Sequence, residues 1–176
     1  MSVRPARVDR LERAFEEIAR SRMAGLPTVH PRLRVEALGF APQPGPHGED
    51  GWLGVLITPW CMNLVWLPAT QVALRVGTSR EHVLAGERYA FIGAHEPLYD
   101  LGPFEACSLF SPMGEFADHD GARAVALEVL RALRTVAPAQ PARPPFPPVP
   151  HSLERNLTGP SGPSHRSRRA FLFGAR

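Results

Sequence analysis

The sequence predicts an α+β domain: a mainly antiparallel sheet of four to five strands packed with an N-terminal and a C-terminal helix, then a proline-rich tail. Three observations predict it. Helical periodicity occurs in two places only, residues 8–24 and 121–135. Between them lie short apolar runs with strand character, joined by connections too short for most helical crossovers, which favours antiparallel pairing. From Pro138 the composition changes abruptly, with nine prolines by Pro163 and little periodicity. The 176 residues therefore divide into a domain at 1–137, a proline-rich linker at 138–163 that cannot offset its ordering entropy by burial, and a basic, apolar motif at 164–176.

Each element has its own signal. From Val8 to Ala24, Leu11, Phe15, Ile18, Ala19 and Met23 form one apolar stripe. Asp9–Arg13 and Glu16–Arg20 are spaced for ion pairing on the polar side, and Gly25 ends the helix. Leu33–Phe40 reads as a strand, and Ala41–Asp50, dense in proline and glycine, as a turn. Gly51–Leu74 follows, 24 residues without a charge and holding all three tryptophans. Its length would allow a membrane span. Pro59 and Pro68 each remove a backbone donor and break a helix there, and Thr58, Asn63 and Thr70 add polar groups. Two buried strands, Trp52–Thr58 and Met62–Leu67, joined through Pro59-Trp60-Cys61, are expected instead, with no stable membrane insertion.

Residues 69–86 are ambiguous, since Val72, Leu74 and Val76 alternate while Ser79–Leu84 could turn as a helix. Glu87–Gly93 and Phe104–Phe110 read as strands. In the latter, alternation puts Phe104, Ala106, Ser108 and Phe110 on one face, with Cys107 and Leu109 on the other. Asp118 or Asp120 caps the second helix, Gly121–Thr135, and Pro138 stops it.

Charge and composition exclude several functions. Residues 1–137 hold 14 Arg against 16 acids, a net of −2, whereas residues 138–176 hold six Arg against one Glu, a net of +5. The basic balance belongs to the tail, so a basic globular surface for nucleic acid is not supported. There is no lysine, so no phosphate loop of the GxxxxGK type exists, and no GxGxxG is present. Cys61 and Cys107 read as buried small hydrophobes. Nothing resembling a secretory signal precedes them, so no disulfide is expected and the location is expected to be cytoplasmic. The histidines and cysteines lack zinc-ligand spacing, and Asp118-His119-Asp120 reads as a solvated helix N-terminus rather than a metal site. Cys107 with His30 or His95 has no orienting partner for nucleophilic work. The residues favour an interaction protein without cofactor or metal over an enzyme.

Five segments carry a family resemblance. These are Ala14–Leu26 followed by His30-Pro31, the Trp52, Gly54, Ile57–Trp60 pattern, Met62–Pro68, Cys107–Pro112, and Arg168-Arg169 with Leu172–Gly174. In this order they resemble the HybE/HupJ group of nickel–iron hydrogenase assembly chaperones over about four-fifths of the chain, the linker excepted. The resemblance implies a cytoplasmic accessory protein with no reaction of its own. It would bind the immature large subunit, the small subunit, or both, before export by the twin-arginine route. It also implies that any rubredoxin-like role needs a separate polypeptide, because the paired CxxC motifs are missing here.

Partner-binding candidates follow. Trp60, beside Cys61 at the bend, either projects as an interface anchor or packs under a helix. Met62 and Met113 are adaptable apolar groups that suit a partly folded client or a core. Cys107 marks the same sheet region. In the terminal motif, Arg168 and Arg169 would pair with acidic groups while Phe171 and Phe173 bury alongside. An alternative is a metal- or redox-active accessory using Cys61 and Cys107. A third reading is a basic-tail adaptor whose binding falls steeply with salt.

Overall fold

The computed structural model describes residues 5–70 and 74–135. Contacts divide the chain into Met1–Ala137 and Pro138–Arg176, and the described residues belong to the first unit. Its elements run α1 (Ala6–Arg20), β1 (Glu36–Pro42), β2 (Gly51–Ile57), β3 (Met62–Pro68), β4 (Ser79–Leu84), β5 (Glu87–Glu96), β6 (Gly102–Phe110) and α2 (His119–Arg134). The strands form one sheet in the order β1-β2-β3-β6-β5-β4, and every neighbouring pair is antiparallel. None of the helices among the described residues is long and apolar enough to cross a membrane.

The uncharged run is the middle of this sheet. β2 and β3 pair from Gly51↔Pro68 to Ile57↔Met62 without a register shift. Their alternation feeds two faces. Leu53, Val55, Ile57, Met62, Leu64 and Trp66 pack with Ala122, Ala126 and Leu130 of α2. Leu56, Val65 and Leu67 pack with Val8, Leu11 and Ala14 of α1. The sheet is thus buried on both sides, which is why β2 and β3 read as continuous apolar runs rather than half-polar ones.

Four sequence expectations need correcting. The sheet has six strands rather than four or five, because Ser79–Leu84 is a strand and not a helical turn. Ala85 and Gly86, at φ 51° and 85°, form the two-residue turn that folds it onto β5. The first helix stops at Arg20, where the Ser21 amide and hydroxyl both bond to the Glu17 carbonyl (2.9 and 2.6 Å), ahead of the expected Gly25. Arg20 pairs with Glu17 (3.3 Å), one residue from the expected Glu16. Finally, a register shift between Met62 and Asn63 against β6 places an extra residue in β6. That bulge brings Phe110 to the same core cluster as Cys107 and Leu109, against the strict alternation expected.

Candidate functional site

The bend between β2 and β3 is organised by Thr58. Pro59 has no amide to satisfy, so the loop's free donors are Trp60 N and Cys61 N. Both bond to Thr58 Oγ1 (3.3 and 2.9 Å), and the same hydroxyl donates to the Cys61 carbonyl at 2.8 Å. The Pro59 carbonyl accepts from the His30 amide at 2.7 Å, fixing the loop after α1 against the bend. Trp60 is 5% exposed and stacks on Phe15, with ring centroids 6.5 Å apart. Ile18, Ala19, Met23, Val29 and Leu98 complete that cluster. Of its two sequence readings, packing under a helix is the one the geometry adopts.

Cys61 is buried in the same cluster, with Sγ 3.3 Å from Thr58 Oγ1 and 3.5 Å from Asn63 Nδ2. Burial pushes its thiol up to about 11 despite those two hydrogen bonds, so it is a protonated, poorly nucleophilic group at neutral pH. Cys107, half-buried and paired across the sheet with Leu64, also has its thiol raised by burial. Met62 and Met113 lie inside the core cluster against which Cys107 packs. The sequence candidates therefore separate: Trp60 and Cys61 sit at the end of α1, and Met62, Met113 and Cys107 on the α2 face. Arg168, Arg169, Phe171 and Phe173 lie outside the described residues. Among the described residues no group of three or more His, Cys, Asp or Glu is placed to hold a metal.

Sequence reasoning missed the buried ion cluster on the α2 face. Glu105 has no exposed surface, and its Oε2 lies 2.7 Å from His82 Nε2. Its Oε1 faces Arg80 Nε at 3.4 Å, an ion contact without hydrogen-bond geometry for either atom. The other end of the Arg80 guanidinium bonds to Glu49 at 2.6 Å and lies 6.0 Å from the Trp66 ring. Burial works against the Glu49 carboxylate. Hydrogen bonds from its own amide, the His47 amide and Arg80 outweigh this and hold it below the usual carboxylate range. A signal existed in the sequence: the alternation that puts Cys107 and Leu109 on one face of the strand puts Glu105 there too.

Two further networks tie helices to the sheet. His119, expected at a solvated helix start, is 4% exposed and turns into β1, with Nε2 2.7 Å from Glu36. Its Nδ1 accepts the Arg34 amide (3.4 Å), so Nε2 carries the proton and donates to Glu36. Asp118 caps α2 by accepting from the Gly121 amide at 2.8 Å. At the β5–β6 corner, Arg22 of the loop after α1 clamps Glu96 through both oxygens (2.8 and 3.2 Å). Arg7 of α1 donates to the carbonyls of Pro68, Leu101 and Pro103 (2.5, 3.0 and 2.6 Å). These bonds brace a strained corner. Tyr99 and Asp100 both adopt positive φ, 53° and 54°, and Tyr99 is 48% exposed, alone among the described aromatic residues in standing so far out. A shallow cavity of about 150 Å³ between α2 and the β1–β2 end is lined by apolar groups, Gln43 and Arg134.

Comparison with known proteins gives one answer. The family model NiFe-hydrogenase assembly chaperone HybE matches residues 6–174. The chain is 44% identical to the protein HoxT of Cupriavidus necator, over 97% of this chain and 89% of that one. It is 37% identical to the probable rubredoxin HupJ of Rhodobacter capsulatus, over 72% of this chain but 46% of that protein. The solution structure of HybE from Escherichia coli shares the fold, with a TM-score of 0.57 at 24% identity, covering 99% of this chain and 93% of that one.

Proposed function

Since the chain belongs to the HybE family of nickel–iron hydrogenase assembly chaperones, and its role is in hydrogenase maturation, we propose that it binds a hydrogenase subunit precursor without catalysing a reaction. The client is the immature large subunit, the small subunit, or both, held in the cytoplasm before export. The observation that carries this reading is the family match from residue 6 to residue 174, which extends through the domain and into the terminal motif.

The geometry supports a binding role with a division of labour. Trp60, Cys61, Met62 and Met113 are 5% exposed or less, so they shape the surface rather than meet the client directly. Tyr99 on its braced corner supplies the exposed ring that Trp60 does not, and aromatic groups held rigidly are effective interface anchors. Arg168, Arg169, Phe171 and Phe173 remain part of the proposed contact, and Cys107 remains at the half-buried margin of the α2 face. Both thiols are raised by burial, which argues against a redox or metal-thiolate role for Cys61 and Cys107. A rubredoxin-like protein, where one takes part, is proposed as a partner of this chain.

The test is co-purification of the tagged full-length chain from cells expressing a hydrogenase operon. Recovery of a subunit precursor, weakened by Tyr99→Ala with the fold intact, is the expected result. An abundant chaperone that captures neither subunit would overturn the reading.

A further inference from the structure

The two edges of the sheet are built differently. β1 carries a register shift between Leu38 and Ala41, ends in Pro42, and has the Gly39 carbonyl taken by Arg134 of α2. Bulges, prolines and covering groups are how proteins blunt an edge against further pairing. Among the described residues β4 has no bulge, proline or covering backbone, and its charges, Arg80 and Glu81, are already paired with Glu49 and Arg88. It pairs with β5 from Ser79↔Ile92 to Leu84↔Glu87 in unbroken register, with no proline.

The hydrogen-bond phase of β4 follows from its turn. A two-residue turn at Ala85-Gly86 makes Leu84 and Glu87 a hydrogen-bonded pair, and the alternation then assigns His82 and Arg80 to bonds with β5 as well. The Gly93 amide donating to the Thr78 carbonyl at 2.9 Å continues the same phase. Ser79, Glu81 and Val83 consequently point their N–H and C=O groups away from the sheet. Among the described residues, no backbone bond from another element reaches these three. Their side chains also stand in solvent, with Val83 62% exposed and the nearby Val76 56% exposed. The inward residues do the opposite: His82 and Leu84 are buried, and Arg80 is held between Glu49 and Glu105. Among the described residues, the outward bonding groups of this edge have no backbone partner.

We propose that the outer edge of β4 takes up an extended, not yet folded segment of the client subunit as an added strand. This rests on the client-binding reading above and names where and how the client is held. An edge specifies its occupant more narrowly than an apolar face does. Donors and acceptors alternating at strand spacing are matched by another extended backbone, not by a helix or a small molecule. A second copy of the chain in full overlap is disfavoured. Overlapping two edges with Ser79 opposite Val83 puts Glu81 opposite Glu81, a like-charge pair. The segment that fits has a β-branched or aromatic residue beside Val83, no acid opposite Glu81, and no proline where its amides face β4.

Val83→Pro removes one outward amide and no β4–β5 bond, and Val83→Lys adds the charge that natural edges use as a guard. Full-length wild type and both variants are co-expressed with the hydrogenase large- and small-subunit precursors. Capture is read by pull-down, and folding by circular dichroism. The expected result is capture by wild type and a loss of about tenfold or more in the folded variants, with Val83→Lys deciding if Val83→Pro misfolds. Hydrogen exchange at the Glu81 and Val83 amides should slow on binding. Capture unchanged in the folded variants, or amides that stay unprotected, overturns the edge proposal and leaves client binding standing. Capture of neither precursor by wild type overturns both. A concentration-dependent dimer abolished by Val83→Lys assigns the edge to a second copy and overturns the proposal.

Discussion

Glu105 is the residue whose chemistry is most tightly bound to its surroundings. It has no exposed surface, and His82 and Arg80 both lean on its carboxylate. Removing one member of a buried ionic group strands the others, at a cost of about 3–5 kcal/mol. Glu105→Ala is therefore expected to lower the unfolding free energy by that order in urea titrations, and Glu105→Gln by less, since an amide still bonds to His82. An equal loss in both variants would show that the charge facing Arg80, not the hydrogen bond to His82, is what the cluster requires. The two thiols give a second residue-scale outcome. Cys107, half-buried, should react with a thiol reagent in the folded protein, while Cys61, 2% exposed and raised to about 11, should react only on unfolding. Rapid labelling of Cys61 in the native state would contradict its packing under α1.

How legible a residue was depended on whether its partners were near in sequence. The Asp118 cap is a local rule and was readable. The contact of His119 with Glu36, far away in the chain, was not, although both sit in plain view as polar residues flanking apolar runs. Trp60 left two readings open because a Pro-Trp bend does not reveal whether a helix covers it. Phe15 and the end of α1 settle that, a contact set by packing and not by periodicity.

At the scale of elements, β4 was the strand that sequence reading left ambiguous, and the turn explains why. Asn-Gly or Asp-Gly would have announced a two-residue hairpin, whereas Ala85 adopts φ 51° without any such signal. Its backbone is in a region that costs an alanine about 1 kcal/mol relative to glycine. Ala85→Gly is expected to raise the thermal midpoint slightly. A fall instead would mean that unfolded-state entropy outweighs the relieved strain. Glycines within strands carry the opposite expectation. A Cβ at Gly93 would lie 2.3 Å from the Arg75 carbonyl oxygen, which is backbone and cannot swing aside. At Gly54 the obstacle is the Phe40 ring, with its nearest atom also 2.3 Å away, on a half-buried side chain near the edge. Gly93→Ala should thus destabilise by roughly 1–3 kcal/mol, and more than Gly54→Ala, in parallel thermal melts.

For the whole molecule, the antiparallel sheet between two helices was legible because its evidence is composition and period, which survive errors at element ends. The surface that would meet a client was not, because exposure depends on how distant segments cover one another. The same distinction predicts the response to acid. Glu36, on β1, and Glu49, in the β1–β2 loop, both hold a proton less readily than an ordinary carboxylate. Each is desolvated by burial, but hydrogen bonds from His119 and Arg123 to Glu36, and from backbone amides and Arg80 to Glu49, outweigh that burial. In the unfolded chain these carboxylates regain ordinary values near 4.5 and take protons first. Their contribution to stability is therefore complete above that value and is lost as pH falls through it toward their lower folded values. Both groups fasten layers together, Glu36 joining β1 to α2 and Glu49 joining the β1–β2 loop to β4. Acid should therefore weaken the attachment of α2 and of the β4 edge together. Urea midpoints should decline below about pH 4.5, and a Glu36→Gln, Glu49→Gln double variant should start lower at neutral pH and decline less steeply. A decline of equal steepness in the double variant would place the acid sensitivity elsewhere in the fold.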